Sequence, residues 1–455
     1  MTNANLPDSV LECKHGRILV AAASGRALAA SSLRARRPVS VIDLFADRDT
    51  VAICENSSRH LLPNQAPNFA LQCSSMDEIF DRGEQLLSDS DFQDKFGPVT
   101  ILIGGGLENY FRNHQASHKL MQQPGVLVFF ETARWVHVNE FCRANSIRYP
   151  SITRQLNTNQ ATQRWLIKTD FSSGGFGVQF AQPNTSLKTD QYFQRYIEGQ
   201  SISACYVAAP GSGGEEKRIV EMLGICEPVI SSVANSHDRS SDQPFPFRYA
   251  GSIGPVHPSC LAEPILAEFK RIGVLVANRF GSAGIFGIDF VLEQDKLWLL
   301  EINPRITASA ELIEHAARQT MQDFSIVKLH LEARSGDIDQ NSASLRGCQK
   351  AIELRSSIFA KQIVYRHHQS SNSLRVTQSH LDALASHFGD CEGVPEFGTL
   401  AEETSITDVP SPGTDIVAGQ PILTVHVSGG TKADAGQRLA QASDVLEKIF
   451  NERLS

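Results

Sequence analysis

Short apolar runs bounded by Gly and Pro alternate with Ala- and Leu-rich segments through the first 130 residues. RILVAAA at 17–23 and PVSVIDLF at 38–45 read as buried strands, and SGRALAASSLRA between them has the content of a helix. The chain therefore opens as β-α-β. PVTILIGGG at 98–106 and GVLVFF at 125–130 predict further strands, so residues 1–130 form an open, mostly parallel α/β layer. From Glu131 to Ala144 the period is helical, and Arg148-Tyr149-Pro150 ends it.

The pattern then turns to strands: WLIKTD at 165–170, VQFAQ at 178–182 and YFQRYIEGQSISACYVAA at 192–209. The Gly-rich segments 171–177 and 209–218 and the polar stretch 234–247 are the loops between them. An amphipathic helix over 262–280, a hairpin over 284–303 and a helix over 307–335 follow. Residues 336–347 are polar and weakly patterned, which predicts a linker. Beyond it, 351–366 and 408–427 are β-like and 432–452 are helical, so 348–455 is expected as a small β-rich domain with a terminal helix. The whole reads as a combination of α/β and α+β architecture.

Length supports this division, since 455 residues exceed a single domain of about 150 residues severalfold. Apolar residues make up 41% and charged residues 20%, enough for several cores. No run approaches the ~20 apolar residues of a spanning helix, and the opening stretch has no apolar signal core, so a cytoplasmic location is expected. With 42 Lys and Arg against 50 Asp and Glu, neither nucleic acid nor a membrane surface is an expected partner. The nine cysteines are dispersed with no CxxC pair, which fits reduced, buried thiols.

The densest chemistry lies in GIFGIDFVLEQDKLWLLEINPRITAS at 284–309. A hairpin with a three-residue turn at Gln294-Asp295-Lys296 places Asp289 directly across from Glu301, with Asn303 on the same face. Opposed carboxylates in apolar surroundings call for a cation, and these hard oxygen ligands suit Mg²⁺ or Mn²⁺. Arg305 follows within reach. A second constellation is Lys168 followed by Ser172-Ser173-Gly174-Gly175-Phe176-Gly177, where a glycine loop can present N–H groups to phosphate. A third is Gln194-Arg195-Tyr196-Ile197-Glu198-Gly199, a strand exit whose backbone can meet an adenine edge, with Glu198 near a ribose. Ser24-Gly25-Arg26 and Gly104-Gly105-Gly106 each read either as a phosphate loop or as a tight strand-to-helix turn. His114 and His118 are read as surface histidines.

In this order the motifs resemble the ATP-grasp superfamily, and within it the group of predicted ATP-dependent carboligases related to biotin carboxylase. The resemblance covers residues 130–335. The preceding α/β layer is similar to the pre-ATP-grasp domain, and the ending VPSPGTDIVAGQPILTVHV is similar to a β-rich tail of that group. It implies a two-lobed ATP-grasp domain and an ATP-dependent ligase that activates a carboxylate as an acylphosphate for attack by an amine. Some of the group accompany C1-carrier cofactor pathways.

Carried over by position, Asp289, Glu301 and Asn303 would hold Mg²⁺, and Arg305 would stabilise transferred phosphate or the tetrahedral intermediate. Lys168, Ser173, Gly174, Gly175 and Gly177 would hold the α- and β-phosphates, Gln194, Arg195, Tyr196, Ile197 and Glu198 the adenosine, and Arg248 a phosphate or substrate. The implied partners are ATP and small carboxylate and amine substrates; a homo-oligomer is left open. Two positions depart from the family: Arg134 stands near a usual lysine, and Ser201 replaces a usual Glu. Competing readings are a bicarbonate-activating carboxylase, for which any biotin carrier would be a separate chain, and an ATP-binding protein without catalysis.

Overall fold

The computed structural model describes residues 16–61, 66–97, 99–108, 120, 128, 131–156, 163–182, 185–211, 214–230, 245–339, 342–354, 357–370, 372–389 and 404–451. The first layer is the expected parallel sheet. It contains β1 (Arg17–Ala21), β2 (Val39–Asp43), β3 (Ala70–Gln72) and β4 (Val99–Ile103), in the order β3-β2-β1-β4. Every residue of β1 and β2 is buried, which is why both are predominantly apolar instead of alternating, Arg17, Ser40 and Asp43 being the polar members. Four helices connect the layer: α1 (Arg26–Arg34), α2 (Arg48–Ser57), α3 (Met76–Ser88) and α4 (Ser90–Phe96). Of the strand expected at 125–130 only Val128 is described, and it is helical. His114 and His118 lie outside the described residues.

After α5 (Trp135–Ala144) comes a small antiparallel lobe of β5 (Ile152–Thr153), β6 (Trp165–Thr169), β7 (Val178–Phe180) and β8 (Gln191–Arg195), ordered β5-β8-β6-β7. The run expected as one strand over 192–209 breaks at Tyr196–Gly199, so β8 belongs to this lobe and β9 (Gln200–Gly211) begins the next sheet. Gly199 permits the crossing: a Cβ there would sit 2.4 Å from the Leu292 carbonyl oxygen.

The large sheet has eight strands. β9, β10 (Gly214–Ile230), β11 (Tyr249–Gly254), β12 (Gly284–Glu293) and β13 (Lys296–Asn303) are joined by β14 (Ile358–Tyr365), β16 (Thr404–Thr407) and β18 (Pro421–Gly429), in the order β13-β12-β9-β10-β11-β14-β18-β16. Two short strands, β15 (Leu374–Arg375) and β17 (Asp415–Ile416), pair by themselves. The C-terminal strands thus extend the central sheet through β11 and β14 instead of forming a detached unit.

Strand β9 shows how the sheet is fixed between two cores. Ala204, Tyr206 and Ala208 face α6 (Glu263–Phe280), where they pack with Phe269, Ile272 and Val276. Cys205, Val207 and Ala209 face the opposite core with Leu312, Ile326 and Leu329. That second core also holds Ile18, Val41 and Leu28 of the first layer, so N-terminal and central parts share one apolar interior.

Two helix expectations are corrected. The single helix over 307–335 is α7 (Ala310–Arg318) and α8 (Ile326–Ser335), because Ser325 caps α8 by accepting a hydrogen bond from Lys328 N–H. The second half of the expected linker and the start of the following β-like run are α9 (Ala343–Leu354). Its Leu345, Cys348, Ala351 and Ile352 line one buried face at helical spacing, a signal that the polar residues between them obscure. Helices α10 (Gln378–Phe388) and α11 (Lys432–Phe450) complete the chain.

Candidate active site

The hairpin of β12 and β13 opposes Asp289 and Glu301, by a route the sequence does not show. Glu293 pairs with Lys296, so the turn is Gln294-Asp295 alone, with Gln294 at φ 55°. This corrects the three-residue turn and would by itself set Asp289 against Leu300. A β-bulge after the Phe290–Leu299 pair absorbs Leu300 and restores the Asp289–Glu301 and Gly287–Asn303 pairs. The bulge therefore decides that both acids share a face.

Asn303 Nδ2 donates to Asp289 Oδ2 at 2.9 Å, so the third expected ligand is in the same cluster. Burial pushes the Asp289 carboxyl upward, against the Ser203 hydroxyl and the charges of Arg305 and Lys168. Burial likewise raises Glu301 to about 7; Lys168 opposes the shift, and Asp289 and Glu108 add to it. Two acids on one face remain short of positive charge although two cations are nearby.

Arg305 follows the end of β13 and is anchored by the N-terminal layer. Its Nε donates to Glu108 Oε1 at 2.6 Å and its Nη2 to Asn303 Oδ1 at 3.3 Å. Glu108 Oε2 accepts from Gly106 N–H at 2.7 Å. Burial alone would lower the Arg305 pKa, but the Glu108 carboxylate beside it carries it above the ordinary value. Gly105 packs directly against Arg305: a Cβ there would come 3.2 Å from the guanidinium carbon, so any side chain would push the guanidinium aside by a few tenths of an ångström. Gly104-Gly105-Gly106 is thus a turn that admits Arg305. Glu108 and Ser203 are site residues that sequence reasoning missed; the only local hint of Glu108 was its place just after three glycines.

Lys168 comes from the small lobe. Trp165, Ile167 and Phe193 form that lobe's apolar cluster, so alternation puts Lys168, Tyr192 and Gln194 on the other face, where Lys168 pairs with Tyr192. Tyr149 and Tyr192 both have Glu301 among their electrostatic neighbours, so this face looks toward the hairpin. Gln194 is 1% exposed and its Nε2 has no hydrogen-bond acceptor. Ile197 is buried, Glu198 is exposed, Tyr196 packs edge-on to Phe180 at 5.4 Å, and the Arg195 guanidinium lies 5.0 Å from the Trp298 ring.

The glycine loop is docked and not free-standing. Tyr249 N–H donates to Gly174 O at 2.9 Å, and Gly175, at φ 78°, sits where a Cβ would be 1.9 Å from the Phe247 carbonyl oxygen. Ser173 and Gly177 flank that docked turn, with Phe176 N–H donating to Ser173 O and Thr169 N–H to Gly177 O. Arg248, next to this dock, turns away: Nη1 donates to Gly419 O at 3.0 Å and its guanidinium stacks 3.6 Å over the Tyr365 ring. Its described side-chain contacts are with β14 and the turn before β18, not with the carboxylates. Arg134 is exposed at the start of α5, and Ser201 pairs with Val291 in the sheet.

Residues 134–309 match the ATP-grasp domain family, so the centre of this chain is an ATP-grasp domain. A formate-dependent phosphoribosylglycinamide formyltransferase of Anaeromyxobacter dehalogenans is 34% identical over 79 residues, which are 17% of this chain and 19% of that protein. The chain therefore spans under a fifth of that relative. Among solved structures, the biotin carboxylase of Campylobacter jejuni aligns with TM-score 0.61 at 10% identity, over 97% of this chain and 92% of its own. The L-amino acid ligase of Bacillus licheniformis aligns with TM-score 0.57 at 12% identity, over 96% and 98%. At these identities the two structures show a common fold. Among the described residues no helix is long and apolar enough to cross a membrane.

Proposed function

We propose that the chain is an ATP- and Mg²⁺-dependent ligase that joins a carboxylate to an amine and releases ADP and phosphate. The observation that carries this reading is the Asp289–Glu301 pair, with Lys168 and Arg305 as the cations that act on both acids. The donor set fits a divalent cation: two hard carboxylates on one face with an amide beside them, and a Glu301 whose charge burial disfavours until a cation arrives. Asp289, Glu301 and Asn303 would hold the metal, which when bound neutralises phosphate charge.

The remaining roles belong to the protein's own groups. Lys168 offers a compact cation from the lobe above, and the loop from Ser173 to Gly177 offers backbone N–H groups. Gln194 supplies a buried, unused amide N–H for a base edge, alongside the backbone of Arg195 to Ile197. In the ligase reading a substrate carboxylate oxygen attacks the γ-phosphorus and ADP leaves. An amine nitrogen then attacks the acyl carbon, phosphate leaves and the nitrogen loses a proton. Arg305, held by Glu108, is aimed at the oxygens that gain charge in both steps. Catalysis is positioning and charge neutralisation, with no protein nucleophile required.

Incubation with ATP, Mg²⁺ and a panel of carboxylates and amines should release ADP only when both substrates of a productive pair are present. Absence of Mg²⁺-dependent ATP binding would refute the proposal.

A further inference from the structure

The amine has no assigned place, and the N-terminal sheet offers one; this inference rests on the ligase reading. Open α/β sheets bind ligands at the C-terminal ends of their strands, and in the order β3-β2-β1-β4 the loops after β1, β2 and β4 meet there. Ala23 N–H donates to Gly105 O at 2.9 Å, and Gly105 lies against Arg305. The exposed Ser24 follows that contact, and Asp43 at the end of β2 bonds the next residue, Gly25.

An open sheet commonly binds anions at such a turn through backbone N–H groups and the helix start. Here an internal carboxylate already fills that role. Asp43 accepts from Gly25, Phe45 and Ala46 N–H at 2.8, 3.1 and 2.7 Å. Arg26, the cation of the turn, is engaged by Glu311 and by Asp408 at 3.2 Å. The phosphate-loop alternative for Ser24-Gly25-Arg26 thus has its donors committed elsewhere.

What remains is acidic. Ser24 Oγ donates to Asp408 Oδ1 at 3.3 Å at the mouth. Inside, Asp47 is only 8% exposed and stands at the N-cap of α2, yet its carboxylate accepts no hydrogen bond from that helix. Among the described residues nothing else hydrogen-bonds it. Its neighbours are Asp408, Asp49 and Asp43, with Arg26 the opposing charge, and burial together with these acids drives its pKa well up. Thr50 Oγ1, in the first turn of the same helix, is also buried with no hydrogen-bond partner.

We propose that this group of carboxylates receives a protonated amine of the acceptor, which is therefore a diamine or another molecule with a basic nitrogen besides the one that reacts. A nitrogen held as ammonium has no lone pair with which to attack. The nucleophile is a second nitrogen of the same molecule, reaching toward Arg305. The same carboxylates repel a phosphorylated acceptor.

Calorimetric titration of the full chain at neutral pH and low salt, with cadaverine, spermidine, pentylamine, O-phosphoethanolamine and Mg²⁺ alone, tests this. Cadaverine, spermidine and pentylamine should all bind through one ammonium, O-phosphoethanolamine should not compete, and with Mg²⁺-ATP and a carboxylate panel only the diamine or triamine should support ADP release. Asp47→Asn, and Ser24→Lys at the exposed mouth, should each weaken diamine binding by at least about tenfold while thermal melts and Mg²⁺-ATP affinity stay near wild type. If Asp47→Asn does not fold, the surface variant carries the test. ADP release with pentylamine, indifference of diamine binding to both substitutions, or Mg²⁺ displacing the diamine through Asp47 would overturn the proposal. Failure of ATP to bind while diamines still do would instead refute the ligase reading.

Discussion

Two buried carboxylate centres on neighbouring segments have opposite electrostatic fates. Glu311 is doubly matched: Oε1 meets Arg26 Nη1 and Oε2 meets Lys361 Nζ at 2.8 Å. Burial pushes its pKa up, yet Arg26 and Lys361 together hold it well below the ordinary value. Glu301 is pushed to about 7 by burial, with Asp289 opposite and Lys168 an insufficient counterweight. The first centre is internally neutralised and ties the N-terminal layer, α7 and β14 together. The second is left to be completed by something from outside.

The contrast also explains a tempting cluster. Glu311, His315 and His426 offer ligand atoms all within 4.8 Å of one another, a spacing that could suit a metal. Both oxygens of its only anionic ligand are already bonded to cations, so a divalent ion there would meet Arg26 and Lys361 directly. Ligand geometry alone does not separate the two centres; charge balance does.

The sharpest way to break the comparison is to unbalance the matched centre. Glu311→Gln leaves Arg26 and Lys361 buried against one less charge and should cost about 3–5 kcal/mol in urea unfolding. A loss below about 1 kcal/mol would show that the centre is not a clasp. The same exchange at the unmatched centre should act on function instead. Glu301→Gln should lower ADP release by about 100-fold or more while leaving urea stability equal or slightly higher, since a desolvated charge is removed.

A smaller effect concerns pH. Burial holds His426, beside Glu311, down at about 4. Its unfolded form takes up a proton near pH 6.5 and its folded form does not, so stability is complete above pH 6.5 and falls as pH drops toward 4. The loss expected from this group is about 2 kcal/mol at pH 5, and His426→Gln should flatten the slope between pH 7.5 and 5. Smallest is Glu108→Gln, which keeps a hydrogen bond to Arg305 but removes the charge. It should reduce kcat by about tenfold with little change in the KM for ATP; an effect confined to KM would place Glu108 in binding and not in aiming Arg305.

How much of this is legible without coordinates follows from range. The strand runs RILVA and VSVID, the helix over 262–280 and the lysine strand before the glycine loop are local patterns, and the structure reproduces them. The Asp289–Glu301 opposition was read correctly from a mistaken turn, because a shorter turn and a bulge at Leu300 shift the register in compensating directions. Nothing in the residues of the hairpin announces that bulge. Glu108 lies 197 positions from Arg305, and no periodicity spans that distance. The acidic group is equally invisible: Asp47 and Asp408 come together where Arg48 N–H pairs with Val409 O and Asp49 accepts from Asp408 N–H, across two distant segments of the chain. Local chemistry is written in sequence, whereas charge balance is set by segments that meet on folding.

The most direct test of the central claim is calorimetry of ATP binding to the wild-type chain and to Glu301→Gln, each with and without Mg²⁺. If the Asp289–Glu301 face is completed by an external cation, wild-type affinity should rise at least about tenfold on adding Mg²⁺ and the variant should lose most of that gain. Equal affinities with and without Mg²⁺, or a variant that keeps the full Mg²⁺ effect, would contradict it.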